Sequence, residues 1–293
     1  MIKLIASDMD GTLLNDKMAI SDRNIEAIKK AQKAGIEFLI ATGRGLDEAK
    51  PFLRDQVHPG YITLNGAEVF NEKEELISSN PISEKSKNEV VKYFHKHNLY
   101  FEVITNKGIF SDDEELRVSS LAELLVKLNP TTTYEQAMED TLERVKLTPM
   151  KFVDSYDDIF NDKTYKIMKL IAFSKDEGKV LKPLKQEIDE NIKDVVVTSS
   201  SPNNVEINSV DAQKGIALLQ YAKSMNISPE ETMAIGDNLN DASMIKSAGV
   251  GVAMANAIPE IKEIAQYSTD NNVNDGVAQV IEKVIEKANQ QAN

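Results

Sequence analysis

The sequence predicts an α/β protein: a doubly wound, mostly parallel sheet with an inserted α+β domain. Two observations lead to this fold class. Short apolar runs alternate with helical patterns at both ends of the chain, over residues 1–65 and again after residue 209. Between them the apolar runs have the pattern of half-buried antiparallel strands separated by helices. We therefore expect a discontinuous core formed by 1–83 and 209–293, and an inserted domain at 84–208.

Three strands are predicted before the insert. They are 3–7, 36–41 and 61–64, each an apolar run of strand length. Ser21 is the expected N-cap of the helix between the first two, and Gly35 its end. Consecutive strand–helix–strand units have right-handed crossovers, which predicts a parallel sheet with helices on both faces.

The same alternation returns after the insert. Helical patterns at 213–223 and 240–247 alternate with strands at 232–235 and 250–253. These elements therefore extend the parallel sheet that the N-terminal part begins.

Composition and charge restrict the class of protein. The chain has 293 residues, of which 41% are hydrophobic and 28% charged, as is usual for globular proteins. It has no cysteine, which excludes disulfides, thiolate metal sites and a cysteine nucleophile. With 34 basic and 47 acidic residues the net charge is −13, which argues against nucleic acid as a partner. A single local site for a small phosphate is compatible with that charge.

The sequence predicts neither a secretory nor a membrane segment. Acids near the N-terminus stand where a signal peptide needs an apolar region, and no apolar run approaches the ~20 residues of a membrane span. We expect a cytoplasmic protein, monomeric or weakly homo-oligomeric, that binds neither a membrane nor nucleic acid.

Polar side chains follow three of the predicted strands, where parallel α/β sheets bind ligands. They are Asp8 and Asp10 after the first strand, Thr42, Gly43 and Arg44 after the second, and Asp237, Asn240 and Asp241 after a later one. Four carboxylates in one crevice would repel, at about 1–4 kcal/mol for each pair ~4 Å apart. The cluster therefore needs a cation, and oxygen ligands without sulfur or imidazole point to Mg²⁺.

Each motif also has a simpler interpretation. An isolated Asp-x-Asp is usually a solvated turn or cap, although a calcium-binding EF-hand loop is excluded because the twelfth position from Asp8 is Ala19 rather than Glu. Lys214 opens a predicted helix, where a solvated first-turn lysine is the commoner case. Its poor match to the helix dipole is mild support for a partner anion. Asn65 with Gly66 is typical of a turn.

Taken together, the motifs resemble a known family. DMDGTLL at 8–14, ATGR at 41–44, Lys214 and GDNLND at 236–241 resemble, in order, the four motifs of the haloacid dehalogenase superfamily of phosphatases. The resemblance is strongest to its Cof-type branch, which has a large α/β cap inserted after the third strand, and it covers nearly the whole chain. It implies a Rossmann-like core and Mg²⁺-dependent hydrolysis of small phosphomonoesters such as sugar phosphates.

The resemblance also implies a role for each site residue. Asp8 would be the nucleophile that forms an aspartyl-phosphate, and Asp10 the general acid and base. The implied Mg²⁺ ligands are Asp8, the backbone carbonyl of Asp10, and Asp237. Asp241 would complete the metal site and would orient Lys214 or a metal-bound water. The implied contacts to substrate are Thr42, Gly43, Arg44, Asn65, Lys214 and Asn240. Of these, Thr42 and Lys214 would stabilise the phosphoryl group during the reaction.

Two other functions are compatible with the same residues. A phosphomutase would pass the phosphoryl group between sugar hydroxyls and use the same nucleophile. A non-catalytic module would bind phosphorylated metabolites for regulation, but such a protein would be expected to lack at least one of Asp8, Asp10, Lys214 and Asp237. The leading interpretation is therefore the phosphatase, with the insert closing over the crevice to exclude water.

Overall fold

The structure is a computed structural model that describes residues 1–53, 56–128, 132–147, 150–174, 176–199 and 203–292. The chain divides into two compact units. The first consists of Met1–Asn80 and Asp211–Asn293, and the second of Pro81–Val210. No helix in these described ranges has both the length and the apolar composition that crossing a membrane requires.

Strands and helices are interleaved along the chain. The strands are β1 (Leu4–Ser7), β2 (Glu37–Ala41), β3 (Gly60–Thr63), β4 (Glu68–Phe70), β5 (Leu76–Ser79), β6 (Tyr100–Thr105), β7 (Gly108–Ser111), β8 (Met150–Phe152), β9 (Ile167–Phe173), β10 (Val195–Thr198), β11 (Asn204–Ser209), β12 (Thr232–Gly236), β13 (Val250–Ala253) and β14 (Tyr267–Ser268). The helices are α1 (Asp22–Lys33), α2 (Leu46–Ala49), α3 (Glu84–Lys96), α4 (Glu114–Leu128), α5 (Tyr134–Leu147), α6 (Asp157–Asn161), α7 (Glu177–Asn191), α8 (Lys214–Ser224), α9 (Ala242–Ser247), α10 (Pro259–Ile264) and α11 (Gly276–Ala292).

The first unit is built on an eight-stranded sheet in the order β14-β13-β12-β1-β2-β3-β4-β5. The strands from β14 to β3 are parallel, and β4 and β5 are antiparallel to their neighbours. The predicted fold class, a doubly wound and mostly parallel sheet, is confirmed. The sequence pattern did not predict the β4–β5 hairpin. In the sequence this hairpin follows β3 and precedes Pro81, the first residue of the second unit.

The centre of this sheet determines which strand ends meet. β1 lies between β12 and β2, and Ser7 pairs with Ile235 on one side and with Ile40 on the other. The three strands therefore end at the same level of the sheet. The residues that follow them, among them Asp8, Thr42 and the 237–241 segment, come together at this carboxyl edge.

Helix α1 shows how local sequence sets these elements. The Ser21 hydroxyl accepts a hydrogen bond from the amide of Asn24, as the N-cap prediction requires. Ile25 and Ile28 are buried against the sheet, and Gly35 follows the helix with φ +77°. The predicted bounds of this helix agree with the structure.

The second unit has its own sheet and its own core. Its six strands run in the order β10-β11-β9-β6-β7-β8, antiparallel except for the parallel β7–β8 pair. One face of this sheet packs against α3 and α7, where Phe94 and Leu184 are fully buried. The unit begins three residues before and ends two residues after the expected insert at 84–208.

Candidate active site

Asp8 is the first residue after the central strand. Its amide donates to the carbonyl oxygen of Ile235 at 2.9 Å, which continues the β1–β12 pairing by one step. Its side chain is only 6% exposed. The chain then makes a tight turn, closed by a 2.8 Å hydrogen bond from the Leu14 amide to the Met9 carbonyl. The sheet thus fixes the backbone of Asp8 on one side and the turn fixes it on the other.

Gly11 lets this turn approach Asp237. Gly11 has φ +81°, and a Cβ placed on it would lie 2.6 Å from Oδ2 of Asp237. The neighbouring Thr12 hydroxyl donates to Oδ1 of the same carboxylate at 2.9 Å. Asp237 is therefore held against the turn by a contact that only glycine permits and by one hydrogen bond.

A Gly11→Ala variant is expected to lose activity as well as stability, because its methyl group must displace the Asp237 carboxylate. Gly35→Ala is the matched control: Gly35 also has positive φ, but no atom lies within 4 Å of its Cβ position. Both variants carry the left-handed backbone penalty of about 1–2 kcal/mol. Thermal unfolding measures the stability of both variants, and steady-state kinetics measures their activity. Equal activity in the two variants would contradict the role given to the close approach of Gly11 to Asp237.

Lys214 opens α8 and is completely buried. Its ammonium group donates to Oδ1 of Asp8 and to Oδ1 of Asp241, each at 2.7 Å. Burial alone would lower the pKa of Lys214, but the charges of Asp241 and Asp8 outweigh it and the pKa is raised. Lys214 is therefore a buried cation between two carboxylates and not a solvated first-turn residue.

Asp241 organises the segment after β12. While one of its oxygens accepts from Lys214, the other accepts from the backbone amides of Asp237 at 2.9 Å and Asn238 at 3.1 Å. A Cβ on Gly236 would lie 2.5 Å from this carboxyl group, so the close approach requires glycine there. Both oxygens of Asp241 thus accept hydrogen bonds from the protein. These contacts favour a role for Asp241 in orienting Lys214 and the backbone of Asp237.

Asp8, Asp237 and Asp241 form one acidic cluster. Each offers a carboxylate oxygen, and these atoms lie within 4.8 Å of one another. Burial, and next the charge of Asp241, raise the pKa of Asp8 and of Asp237, and the hydrogen bonds from Lys214 and Thr12 act against the rise. One lysine thus faces three crowded carboxylates. The donor set and the residual repulsion fit a hard divalent cation.

Asp10 lies apart from that cluster. Its carboxylate accepts two hydrogen bonds from the Arg44 guanidinium, at 2.6 and 2.8 Å, and is half exposed. The hydrogen bonds to Asp10 raise the pKa of Arg44. Arg44 also stacks over the ring of Phe52, with 4.9 Å between the guanidinium carbon and the ring centroid. The side chain of Asp10 is therefore positioned by a bidentate ion pair at the edge of the site.

The remaining predicted residues follow the ends of β2, β3 and β12 and contact one another there. The buried Thr42 hydroxyl accepts from the amide of Arg44 at 3.1 Å, which leaves its own hydrogen available to an anion. A Cβ on Gly43 would lie 3.2 Å from Oδ1 of Asn65, and the same oxygen accepts from the Asn240 side chain at 3.2 Å. The structure thus brings these residues to one edge of the sheet.

One contributor was not identified from the sequence. Thr12, which belongs to the DMDGTLL motif, contacts Asp237 directly, whereas Asn256 lies outside the four motifs and donates to the Gly11 carbonyl at 2.8 Å. Asn256 comes shortly after β13, a parallel strand that ends at the same edge. The signal that identified the other residues, a polar side chain after a buried parallel strand, could have identified Asn256 too.

Comparisons with known proteins show which family the chain belongs to. The family described as haloacid dehalogenase-like hydrolase matches residues 5–281. The chain is 32% identical to phosphatase YwpJ of Bacillus subtilis (strain 168), over 97% of this chain and 100% of that one. It is 35% identical to 5-amino-6-(5-phospho-D-ribitylamino)uracil phosphatase YwtE of the same organism, over 97% and 98%.

A solved structure shares the fold over nearly the full length. The haloacid dehalogenase-like hydrolase from B. subtilis superposes with a TM-score of 0.81 at 31% identity, covering 96% of this chain and 99% of the other. These likenesses confirm the resemblance indicated by the sequence motifs. The chain belongs to the haloacid dehalogenase-like hydrolases, and within them to the Cof-type phosphatases.

Proposed function

We propose that this phosphatase hydrolyses small phosphomonoesters with Mg²⁺ and through an aspartyl-phosphate on Asp8. The observation that carries the proposal is the buried contact of Asp8 with Lys214, beside Asp237 and at the carboxyl edge of the sheet. This arrangement supports a role for Asp8 as nucleophile, for Lys214 as a fixed cation and for Asp237 as a metal ligand. A phosphoryl group there meets both a nucleophile and positive charge.

In the first step a carboxylate oxygen of Asp8 forms a bond to phosphorus as the bond to the alcohol oxygen breaks. Protonated Asp10 gives its proton to that departing oxygen. In the second step water attacks phosphorus, Asp10 takes up the proton of the water, and the bond to Asp8 breaks. Inorganic phosphate leaves, and Asp8 is again a free carboxylate.

Arg44 connects substrate binding to the availability of Asp10. In the structure both oxygens of Asp10 accept from Arg44. A phosphate monoester offers Arg44 the same bidentate arrangement of oxygens that a carboxylate does. We infer that the substrate competes for the guanidinium, which frees Asp10 for proton transfer only when a phosphoryl group is present.

Other side chains bind the phosphoryl oxygens. The Thr42 hydroxyl has a hydrogen to donate. Lys214 is completely buried, so water does not screen the positive charge that it supplies. Asp8 and Asp237, with the Asp10 carbonyl, are the proposed ligands of Mg²⁺. When bound, the ion neutralises charge between nucleophile and phosphate and polarises the phosphoryl oxygens. Asp241 keeps Lys214 and the Asp237 backbone in place.

The proposed substrate class is a small phosphorylated metabolite. The net charge of −13 disfavours polyanions, whereas one local site with Lys214 and a bound divalent cation could still take a single phosphate group. The name of the relative YwtE describes a phosphatase of a phosphorylated ribityl compound. We propose that compound and sugar phosphates as the first substrates to test, in a screen that measures release of inorganic phosphate. Conversion of a hexose phosphate to its isomer without phosphate release would instead indicate a phosphomutase.

Removal of divalent metal is expected to stop hydrolysis of p-nitrophenyl phosphate. EDTA should lower the rate to background, because the crowded carboxylates of the acidic cluster repel an incoming phosphate when no cation offsets them. Added Mg²⁺ should restore the rate, measured by absorbance of the released nitrophenol. A rate that EDTA leaves unchanged would contradict the metal proposal.

A further inference from the structure

Asparagine side chains from outside the four motifs hold the loop that follows β1, residues 8–14. Nδ2 of Asn256 donates to the Gly11 carbonyl and Nδ2 of Asn272 donates to the Leu14 carbonyl, each at 2.8 Å. An irregular loop cannot satisfy all its carbonyl groups by regular pairing, so side chains have to supply donors. The two asparagines therefore determine how this loop lies on the sheet edge.

The two side chains also support one another. The amide of Asn272 donates to Oδ1 of Asn256 at 3.1 Å, so both ends of the Asn256 side chain are engaged. We refer to Asn256 and Asn272 as the asparagine bracket. It joins the segment after β13 and the segment before α11 to the loop that carries Asp8.

The hydrogen bond to Gly11 affects the acidic cluster through one peptide group. Because a peptide unit is planar, holding the Gly11 carbonyl also fixes the amide of Thr12. The Thr12 hydroxyl then reaches Oδ1 of Asp237 at 2.9 Å, and Gly11 stands where a Cβ would meet that carboxylate. A rotation of this peptide would move both contacts to Asp237.

We propose that Asn256 is a positioning residue, which acts through the Gly11 carbonyl to keep Asp237 and Asp8 in the arrangement that binds a divalent cation and a phosphoryl group. The inference rests on the proposed phosphatase function. Asn256 is exposed at the surface and makes its contacts to the loop rather than to the acidic cluster. Its removal should therefore affect the site more than the stability of the fold.

Known metal sites support a large effect on the site together with a small effect on the stability of the fold. Partners that orient metal ligands typically change metal affinity or activity by about 10–100-fold when they are replaced. An exposed side chain outside the core contributes little to the free energy of unfolding. A merely structural residue would show the opposite pattern, with lower stability and unchanged kinetics.

Three variants test the proposal. Asn256→Ala removes both contacts, whereas Asn256→Asp keeps an acceptor for Asn272 but places an oxygen against the Gly11 carbonyl. Asn274→Ala is the matched control, since Asn274 is an exposed asparagine of the same region whose amide donates to Asp270. The readouts are kcat and KM for p-nitrophenyl phosphate, the Mg²⁺ dissociation constant from calorimetry, and the melting temperature.

Both Asn256 variants should lose about tenfold or more in kcat or in Mg²⁺ affinity and keep a melting temperature close to that of the unmodified chain. Asn274→Ala should match the unmodified chain in all three. Unchanged kcat and Mg²⁺ affinity in the Asn256 variants, or an equal loss in Asn274→Ala, would overturn the proposal. If the unmodified chain bound Mg²⁺ but hydrolysed nothing, the proposed function alone would fail, and the Mg²⁺ titration would still decide the role of Asn256.

Discussion

Replacing Asp8 by asparagine is expected to abolish turnover, with kcat falling by about 10⁴-fold or more. An amide oxygen is a poor nucleophile towards phosphorus. Asp241 also contacts Lys214, but its second oxygen is engaged by two backbone amides, so it does not offer a free oxygen in place of Asp8. Phosphate release from p-nitrophenyl phosphate under saturating Mg²⁺ measures the loss.

The same substitution should leave the fold as stable as before, or more stable. Burial, and next the charge of Asp241, raise the pKa of Asp8, so the ionised carboxylate is less favourable in the folded state than in the unfolded chain. Its contribution to stability is therefore present below the ordinary carboxyl pKa and is lost as pH rises through the raised folded value. Asparagine carries no charge at any pH, and Lys214 keeps Asp241 as its partner.

An exposed acid nearby provides the control for Asp8→Asn. Asp16 lies just beyond the loop at 8–14, and Asp16→Asn removes one negative charge without touching the cluster. It should retain the kinetics of the unmodified chain. Substantial hydrolysis by Asp8→Asn, or a marked fall in its unfolding free energy measured without added metal, would contradict the role given to Asp8.

The sequence predicted the fold where periodicity is strong. The strand predicted at 36–41 is observed as Glu37–Ala41, and the one at 232–235 as Thr232–Gly236, because these central strands are buried on both faces and appear as continuous apolar runs. The β4 strand, Glu68–Phe70, has only three residues, of which Val69 alone is buried. Such a strand exists because it pairs with β3, and local sequence does not encode that pairing.

The candidate site was predictable to the level of strand ends. Asp8 and Asp237 were expected at one edge of the sheet because each follows a parallel strand. This prediction needs only the order of the strands and not the conformations of the side chains. The ion pair of Asp10 with Arg44 depends on how two flexible side chains reach across the edge, which spacing does not determine. The burial of Lys214 depends likewise on Asp8 and Asp241 meeting over the start of α8.

Removing the ammonium group of Lys214 is expected to have the second large effect. Lys214→Met keeps the length of the side chain but leaves Asp8 and Asp241 buried without a cation, and losing one partner of a buried ion pair typically costs about 3–5 kcal/mol of stability. Mg²⁺ should stabilise this variant more than it stabilises the unmodified chain, because the cation then offsets charge that Lys214 no longer balances. Chemical denaturation with and without Mg²⁺ measures both effects.

Ligand binding separates the proposed catalytic role of Lys214 from this structural one. Because its charge faces the proposed phosphoryl position, Lys214→Met should weaken binding of inorganic phosphate more than binding of Mg²⁺, as measured by calorimetry. Lys223→Met is the matched control, since Lys223 lies in the last turn of the same helix and is exposed. If phosphate affinity survived in Lys214→Met while Mg²⁺ affinity fell, the lysine would serve the metal ligands alone, and the phosphoryl group would take its positive charge from Arg44.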